Sequence, residues 1–334
     1  MRQGFKMLQR SLEKLSQFNG LMEIVHYSVM KDEVISFLKP DKPGQLVVDA
    51  TTGEGGHSEW FLKNYPDLNI VCLDADIDIM DIAKKRLEHY EDQVVFYNEW
   101  FNIFFKNYPS NLERPDRILF DLGISSYHYD KAERGFSFRS SENLDMRLEK
   151  ELEISAADIV NSYPQKELAK IIFEYGEERY SRSIAEAIVK QRKNSQIEKS
   201  DELAEIIWNA VPVSYRHGRI HPATRTFQAL RIAVNGELAR LKEALEAAVS
   251  VLKVGGKMGV ITFHSLEDRI VKHYFKDLAR ECICPRETPI CNCRGVKVAE
   301  VLTKKPVTPE KGEIEENHAS RSSKLRVIQK VNEL

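Results

Sequence analysis

The stretch Leu46-Val47-Val48-Asp49-Ala50-Thr51-Thr52-Gly53-Glu54-Gly55-Gly56-His57 limits the fold more than any other part of the chain. Its apolar run is too short for a helix and lies between Pro43-Gly44 and a glycine cluster. It therefore reads as a buried strand that ends in an acid and breaks into a turn. Lacking a Cβ, Gly53, Gly55 and Gly56 let a ligand come close to the backbone. Ser58-Glu59-Trp60-Phe61-Leu62 then opens a helix, whose free N–H groups and positive end would face that ligand. A second apolar strand, Ile70-Val71-Cys72-Leu73, ends at Asp74, twenty-one residues beyond Gly53. In nucleotide-type sites an acid at about this distance holds a ribose diol. The competing reading is an ordinary strand–helix turn followed by a surface Asp; the two features together favour the ligand site.

The alternation continues. A short amphipathic helix over 31–38 is stopped by Pro40, and a helix over 78–90 follows strand two. Val94-Val95-Phe96-Tyr97 reads as strand three, with Trp100-Phe101 just past it, and Arg117-Ile118-Leu119-Phe120 as strand four, ending at Asp121. Strands alternating with helices imply a parallel sheet covered on both faces, with ligands at the carboxyl ends of its strands. Gly55, Asp74, Phe101 and Asp121 all fall at such ends.

From 125 to 217 no strand pattern remains; helices are expected over 155–163, 164–175, 178–193 and from Ser200 to before Pro212, with Gly176 as a C-cap. One long helix is expected over 224–252, its apolar stripe formed by Val234, Leu238, Leu241, Leu245, Val249 and Leu252. Met258-Gly259-Val260-Ile261-Thr262-Phe263 resumes the sheet, and His264-Ser265-Leu266-Glu267-Asp268 leads into a helix. A tail over 303–323 reads as irregular and 324–331 as a final strand. The expected organisation is a sheet domain made of 22–124 and 218–334, an all-helical insertion over 125–217, and a flexible extension over 1–21.

The net charge of −2 gives no global sign of a nucleic-acid partner, but its distribution does. No Asp or Glu occurs between Ile206 and Gly236, where Arg216, Arg219, Arg225 and Arg231 are joined by His217 and His221. Such a stripe can meet phosphates; a solvated basic face is the plainer alternative. No apolar run approaches the roughly 18 residues of a membrane span. The basic N-terminal residues Arg2, Lys6, Arg10 and Lys14 surround no apolar core of a secretory signal, so a cytoplasmic protein without a membrane partner is expected. Cys282, Cys284, Cys291 and Cys293 form C-x-C-x6-C-x-C, which either holds a structural zinc or is a loop of reduced thiols; no metal is assigned.

The glycine spacing is not the G-x-G-x-x-G of a nicotinamide dehydrogenase. D-x-T-x-G-x-G-G is closer to the D-x-G-x-G-x-G loop of S-adenosylmethionine-dependent methyltransferases, with Thr51 at the first glycine. Longer segments carry a more specific likeness. Gly53-Glu54-Gly55-Gly56-His57-Ser58, Asp121-Leu122-Gly123-Ile124-Ser125-Ser126, Arg134-Gly135-Phe136-Ser137-Phe138, Leu144-Asp145-Met146-Arg147 and Tyr175-Gly176-Glu177-Glu178-Arg179 belong to it. So do His221-Pro222-Ala223-Thr224-Arg225-Thr226-Phe227-Gln228-Ala229 and Phe263-His264-Ser265-Leu266-Glu267-Asp268-Arg269-Ile270-Val271-Lys272. Together, over about 26–326, they resemble the ribosomal small-subunit RNA cytosine-N4 methyltransferases, the RsmH or MraW family.

The resemblance implies a class I methyltransferase fold with an inserted helical domain. It implies methyl transfer from S-adenosylmethionine to N4 of one cytosine in the decoding region of small-subunit ribosomal RNA, with that RNA, in the 30S subunit, as partner. Carried over residue by residue, the cofactor contacts are Gly55, Gly56, His57, Asp74, Phe101 and Asp121; a seventh, a glutamine in the family, falls on His128. The family's N-P-R-A-R-S run stands here as Asn317-His318-Ala319-Ser320-Arg321-Ser322, with one basic residue fewer.

The residues also suggest roles of their own. The exocyclic amine of cytosine is a poor nucleophile, and a hydrogen-bond acceptor on its N–H groups favours the reactive form. Asp121, with His264 and Ser265 on the neighbouring strand end, is the candidate group, although Asp121 as a pure cofactor or turn residue is an equal reading. Phe136 and Phe138 are candidates to stack on an extruded base, Arg134 and Arg139 to meet phosphates, and Arg225 and Gln228 to face the RNA. Phenylalanines packing the insertion, and arginine and glutamine bonding between domains, are the structural alternatives. An RNA-binding assembly factor without activity is the remaining rival function.

Overall fold

The computed structural model describes residues 28–282, 284 and 295–334. Helix α1 (Lys31–Leu38) precedes strand β1 (Leu46–Asp49), and the glycine turn leads into α2 (Gly56–Asn64). Strand β2 (Asn69–Asp74), helix α3 (Ile77–Arg86), strand β3 (Val94–Asn98), helix α4 (Phe101–Lys106) and strand β4 (Arg117–Asp121) follow. The insertion contains α5 (Ser126–Asp130), α6 (Ala156–Ser162), α7 (Gln165–Gly176), α8 (Ser181–Gln191), α9 (Ser200–Ala210) and α10 (Val213–Arg216). Helices α11 (Ala223–Asn235) and α12 (Glu237–Val251) return to β5 (Lys257–Thr262) and α13 (Ser265–Leu278). Strand β6 (Ala299–Val301), helix α14 (Lys311–Glu316) and strand β7 (Lys324–Lys330) end the chain.

The seven strands run in the order β3-β2-β1-β4-β5-β7-β6. β3, β2, β1, β4 and β5 are mutually parallel, while β7 lies antiparallel between β5 and β6. This is the class I methyltransferase arrangement, an α/β sheet that is mostly but not wholly parallel. Successive side chains go to opposite faces. Val48, Ile118, Phe120 and Val260 pack under α4, α12 and α13, whereas Val47, Leu119 and Ile261 pack with α1 and α2. A third core fills the helical insertion and also takes Ala223, Phe227 and Leu230 of α11, beyond the expected boundary at 217.

Several local expectations are corrected. The long helix over 224–252 is two helices, because Gly236 adopts φ 60° and turns the chain. Asn235 fixes the break: its amide donates to the Met146 carbonyl at 2.8 Å and its oxygen accepts Leu148 N–H at 2.9 Å. Gly176 is not the left-handed cap of α7; Glu177 takes that conformation, at φ 49°. Gly176 is instead required by close packing, since a Cβ there would lie 2.5 Å from the Arg225 carbonyl oxygen. The helix expected over 78–90 is α3 followed by a 3-10 turn, Glu88–Tyr90. The tail is not irregular: it holds α14 and a 3-10 turn, His318–Ser322, and Glu313 accepts Met30 N–H at 2.7 Å. β6 escaped the periodicity because it is three residues long. Cys291 and Cys293 of the C-x-C pattern, and residues 1–27, lie outside the described residues. Among the described residues no helix is long and apolar enough to cross a membrane.

Candidate active site

A cavity of about 480 Å³ lies over the carboxyl ends of the central strands, between them and the insertion. That is within the roughly 300–1,000 Å³ of small-molecule sites. Gly56, His57, Asp74, Phe101, Asp121, His128, Phe136, Phe138, Gln228 and His264 line it; Gly55, Arg134, Arg225 and Ser265 do not.

The glycine turn is held from both neighbouring strands. Gly55, at φ 80°, is the N-cap of α2 and donates to the Thr52 carbonyl at 2.8 Å. Asp74 at the tip of β2 accepts Gly53 N–H and Asp76 N–H, each at 2.9 Å. Burial pushes its carboxyl up to about 6, against the pull of those two N–H groups. Thr51, where the methyltransferase loop has its first glycine, is not a blemish. Its hydroxyl oxygen accepts the backbone N–H of Asp121 and so ties the β1 loop to the end of β4. Asp49 at the end of β1 is buried and accepts the Ser58 hydroxyl at 2.7 Å. Burial raises its pKa, opposed by the charge of His57 and the Ser58 bond.

Asp121 and His57 meet beneath the cavity, with Nε2 of His57 3.3 Å from Oδ2 of Asp121. Oδ1 of Asp121 is buried and has no hydrogen-bond partner. A buried carboxylate oxygen without a donor is costly, so its position at the wall of a cavity marks a place where a ligand N–H or O–H completes the site. Phe101 packs edge-on against Phe120 at 5.7 Å, leaving its ring at the cavity wall. His128 is buried, with Nε2 3.0 Å from Oδ2 of Asp76 and Nδ1 without a partner. These groups fit a nucleoside cofactor: an open glycine turn for close approach, a carboxylate for a diol, an aromatic wall for a base, and unmet polar atoms.

The insertion side is arranged differently from expectation. Arg134 is buried and hydrogen-bonds Asp76, rather than being presented to phosphates. Burial alone would raise the Asp76 pKa, but His128 and Arg134 outweigh it and hold the carboxyl below its usual range. Phe136 is 5% exposed and belongs to the insertion's core while touching the cavity with part of its ring. Arg225 donates to the Glu177 carbonyl at 3.2 Å, Gln228 to the Tyr175 carbonyl at 3.1 Å, and Ser265 to the Glu177 carboxylate. Arg269 pairs with the same carboxylate at 2.9 Å, and the Ser265 and Arg269 bonds hold its pKa down. Of these three expected RNA contacts, Arg225 and Gln228 instead fasten α11 to the end of α7 within the helical core, and Ser265 ties α13 to it.

His264 caps α13 through a capping box with Glu267, which accepts Phe263 N–H at 2.8 Å. Glu237 and Arg231 form a two-bonded ion pair at 2.8 and 2.9 Å at the same wall. Glu237, His264 and Glu267 bring possible ligand atoms within 4.8 Å of one another, but both oxygens of Glu237 are engaged by Arg231. Sequence reasoning missed Thr51, Glu237, Glu267 and Glu54, the last of which accepts the Ser125 hydroxyl at 2.8 Å. Only Thr51 carried a signal, as the residue that breaks the glycine spacing. Ala319 and Ser322 of the tail also line the cavity.

Comparison with known proteins identifies the family. A Treponema denticola protein named ribosomal RNA small subunit methyltransferase H is 58% identical over 93% of this chain and 99% of its own length. A Fusobacterium nucleatum protein of the same name is 44% identical over 92% of this chain and 96% of its own. Among solved structures, an rRNA methylase from Streptococcus thermophilus aligns over 90% of this chain and 94% of its own, at 10% identity and a TM-score of 0.39. The MraW methylase family matches residues 23–331, nearly the whole described fold and every group around the cavity, and the chain belongs to that family.

Proposed function

We propose that this protein transfers the methyl group of S-adenosylmethionine to N4 of a cytosine in the decoding region of small-subunit ribosomal RNA, presented within the 30S subunit. The observation that carries the chemistry is the buried, unpartnered Oδ1 of Asp121 at the cavity wall. When bound, S-adenosylmethionine supplies a methyl carbon on a sulfonium, already activated towards a nucleophile. The chain's task is alignment, worth about 7–11 kcal/mol in a well-oriented site, and preparation of the amine. Gly53, Gly56, Asp74 and Phe101 hold the nucleoside end in this reading. Asp121 accepts an N–H of the cytosine amine, draws its lone pair out of the ring and receives the proton lost on alkylation. His57, with Nε2 3.3 Å from Oδ2 of Asp121, stands beside it at the floor of the cavity. His264, half-buried beside Glu267 at the neighbouring strand end, shapes the amine side of the cavity. The base leaves its stack to reach this depth.

The test is nucleoside mass spectrometry of small-subunit ribosomal RNA from cells with and without the gene, paired with transfer of labelled methyl by the purified chain to isolated subunits and to free RNA. N4-methylcytidine that disappears with the gene is expected. Its persistence, or a label carried by 5-methylcytidine, would overturn the assignment.

A further inference from the structure

Three rings outside the catalytic end form a near-parallel stack that starts at the cavity and runs outward. Phe138, from the loop after α5, lies 4.7 Å from His221 at an interplanar angle of 26°. His221 lies 5.3 Å from Trp208 of α9 at 24°. The inner rung, Phe138, touches Phe227 edge-on at 5.1 Å, and both of these rings line the cavity. The outer rung, Trp208, is half-exposed, with the Arg216 guanidinium 5.9 Å from its centre and His217 edge-on at 6.0 Å. His221 is exposed at its edge and held in place by its Nδ1, which accepts Ala223 N–H at 3.2 Å. Burial against the neighbouring rings lowers its pKa, which favours a neutral ring in the stack.

Both contacts are offset stacks, so each ring holds the next in place. The outer ring, Trp208, is half-exposed, and its surroundings carry a charge that suits RNA. The stretch 206–236 contains no acid, and Arg216, Arg219 and His217 all lie on the ten residues before Pro222. Aromatic faces beside arginines are the means by which single-stranded RNA is held, through base stacking and phosphate attraction together.

We infer that the Trp208–His221–Phe138 stack is a binding track for single-stranded RNA, in which a nucleotide flanking the extruded cytosine stacks on the outer ring, Trp208, and the rings behind hold that ring in place. This rests on the proposed RNA substrate and assigns the flanking strand to α9 and the loop before α11. Trp208 is the outermost stacking surface; Arg216 is held by the Val211 and Asn209 carbonyls, and the exposed Arg219 meets the phosphates beside it.

The test uses the full chain, a single-stranded RNA oligonucleotide copied from the substrate region, and S-adenosylhomocysteine as a separate probe of the cofactor end. Trp208→Leu keeps an apolar side chain and removes the π face; Trp208→Phe keeps a smaller π face. RNA affinity is expected to fall about tenfold or more in Trp208→Leu, as for one lost base stack, and to return to within about threefold in Trp208→Phe. Affinity for S-adenosylhomocysteine stays at the wild-type value in both, and both melt well above the assay temperature. The salt dependence of RNA binding keeps its slope in Trp208→Leu, while Arg219→Gln lowers that slope by about 0.7. Wild-type RNA affinity in Trp208→Leu, with the wild-type chain binding and methylating RNA, overturns the track alone. A wild-type chain that neither binds nor methylates the RNA overturns the proposed function itself.

Discussion

The two walls of the cavity are built on different principles. On the strand-tip side, polar atoms are either used to shape the glycine turn or left open towards the cavity: Asp74 accepts two backbone N–H groups, and Asp121 keeps one oxygen free. On the insertion side, the polar groups that looked ready for a ligand are consumed by the protein. Arg134 holds Asp76, while Arg225, Gln228 and Ser265 hold the chain around Glu177. The difference teaches that a cofactor site is set by the backbone register of strands, whereas a macromolecular substrate site is set by how a separate unit is fastened above them. Residues that fasten and residues that bind share the same chemistry and differ only in their partners.

Substitutions at the two walls should therefore separate. The largest effect belongs to Asp121. Replacing it with Asn is expected to reduce methyl transfer about 10²–10⁴-fold, the range for a positioned proton acceptor, with S-adenosylhomocysteine affinity kept within a few-fold by calorimetry. Turnover that survives in Asp121→Asn would place the chemistry on the other wall.

Next comes Asp74. Asp74→Ala is expected to weaken cofactor binding about 10–100-fold, as for loss of a charged acceptor, with RNA affinity unaltered in a filter-binding assay. The wild-type chain should show the same dependence through pH. The carboxyl is pushed up to about 6 from 3.8, so it gains a proton as pH falls through about 6 and cofactor affinity weakens there. Folding responds with the opposite sign. A raised value contributes stability fully below 3.8 and loses it as pH rises through about 6, so tighter cofactor binding at neutral pH accompanies a less stable free protein. A flat affinity between pH 5 and 8 would contradict this.

A smaller effect is expected where the two units are joined. Asn235→Ala removes the bonds to Met146 and Leu148 and should lower stability by about 1–3 kcal/mol, read as a drop of a few degrees in melting temperature with the cofactor site intact. The smallest effect sharpens the comparison most. Arg225→Gln should leave the salt dependence of RNA binding unchanged, because its guanidinium is bonded to the Glu177 carbonyl. A slope reduced by about 0.7 would return Arg225 to the phosphates.

The legibility of the sequence follows the same division. The strands, their acids and the glycine turn were readable because period-two burial and turn chemistry act within a few residues. Gly55, Asp74 and Asp121 could be placed at strand ends without knowing what surrounds them. The break at Gly236 was hidden because an apolar stripe continues on both sides of it, and its cause is an asparagine held by a loop nearly ninety residues earlier in the chain. Glu177 in the left-handed conformation was equally hidden, since the neighbouring Gly176 is needed for close packing against the Arg225 carbonyl. Arg134 and Phe136 sit in a basic and aromatic loop that looks like an RNA surface, and only the burial of Asp76 beside them shows otherwise. Local pattern fixes what an element is; the fate of its charged side chains depends on contacts distant in sequence.

The placement of the tail bears on how much of the chain the cavity needs. Ala319 and Ser322 form part of the cavity wall, and β7 is wedged between β5 and β6 rather than added at an edge. A chain cut before Ala319 would therefore keep the glycine turn and the strand-end acids but lose part of the cavity wall and the strand that joins β5 to β6.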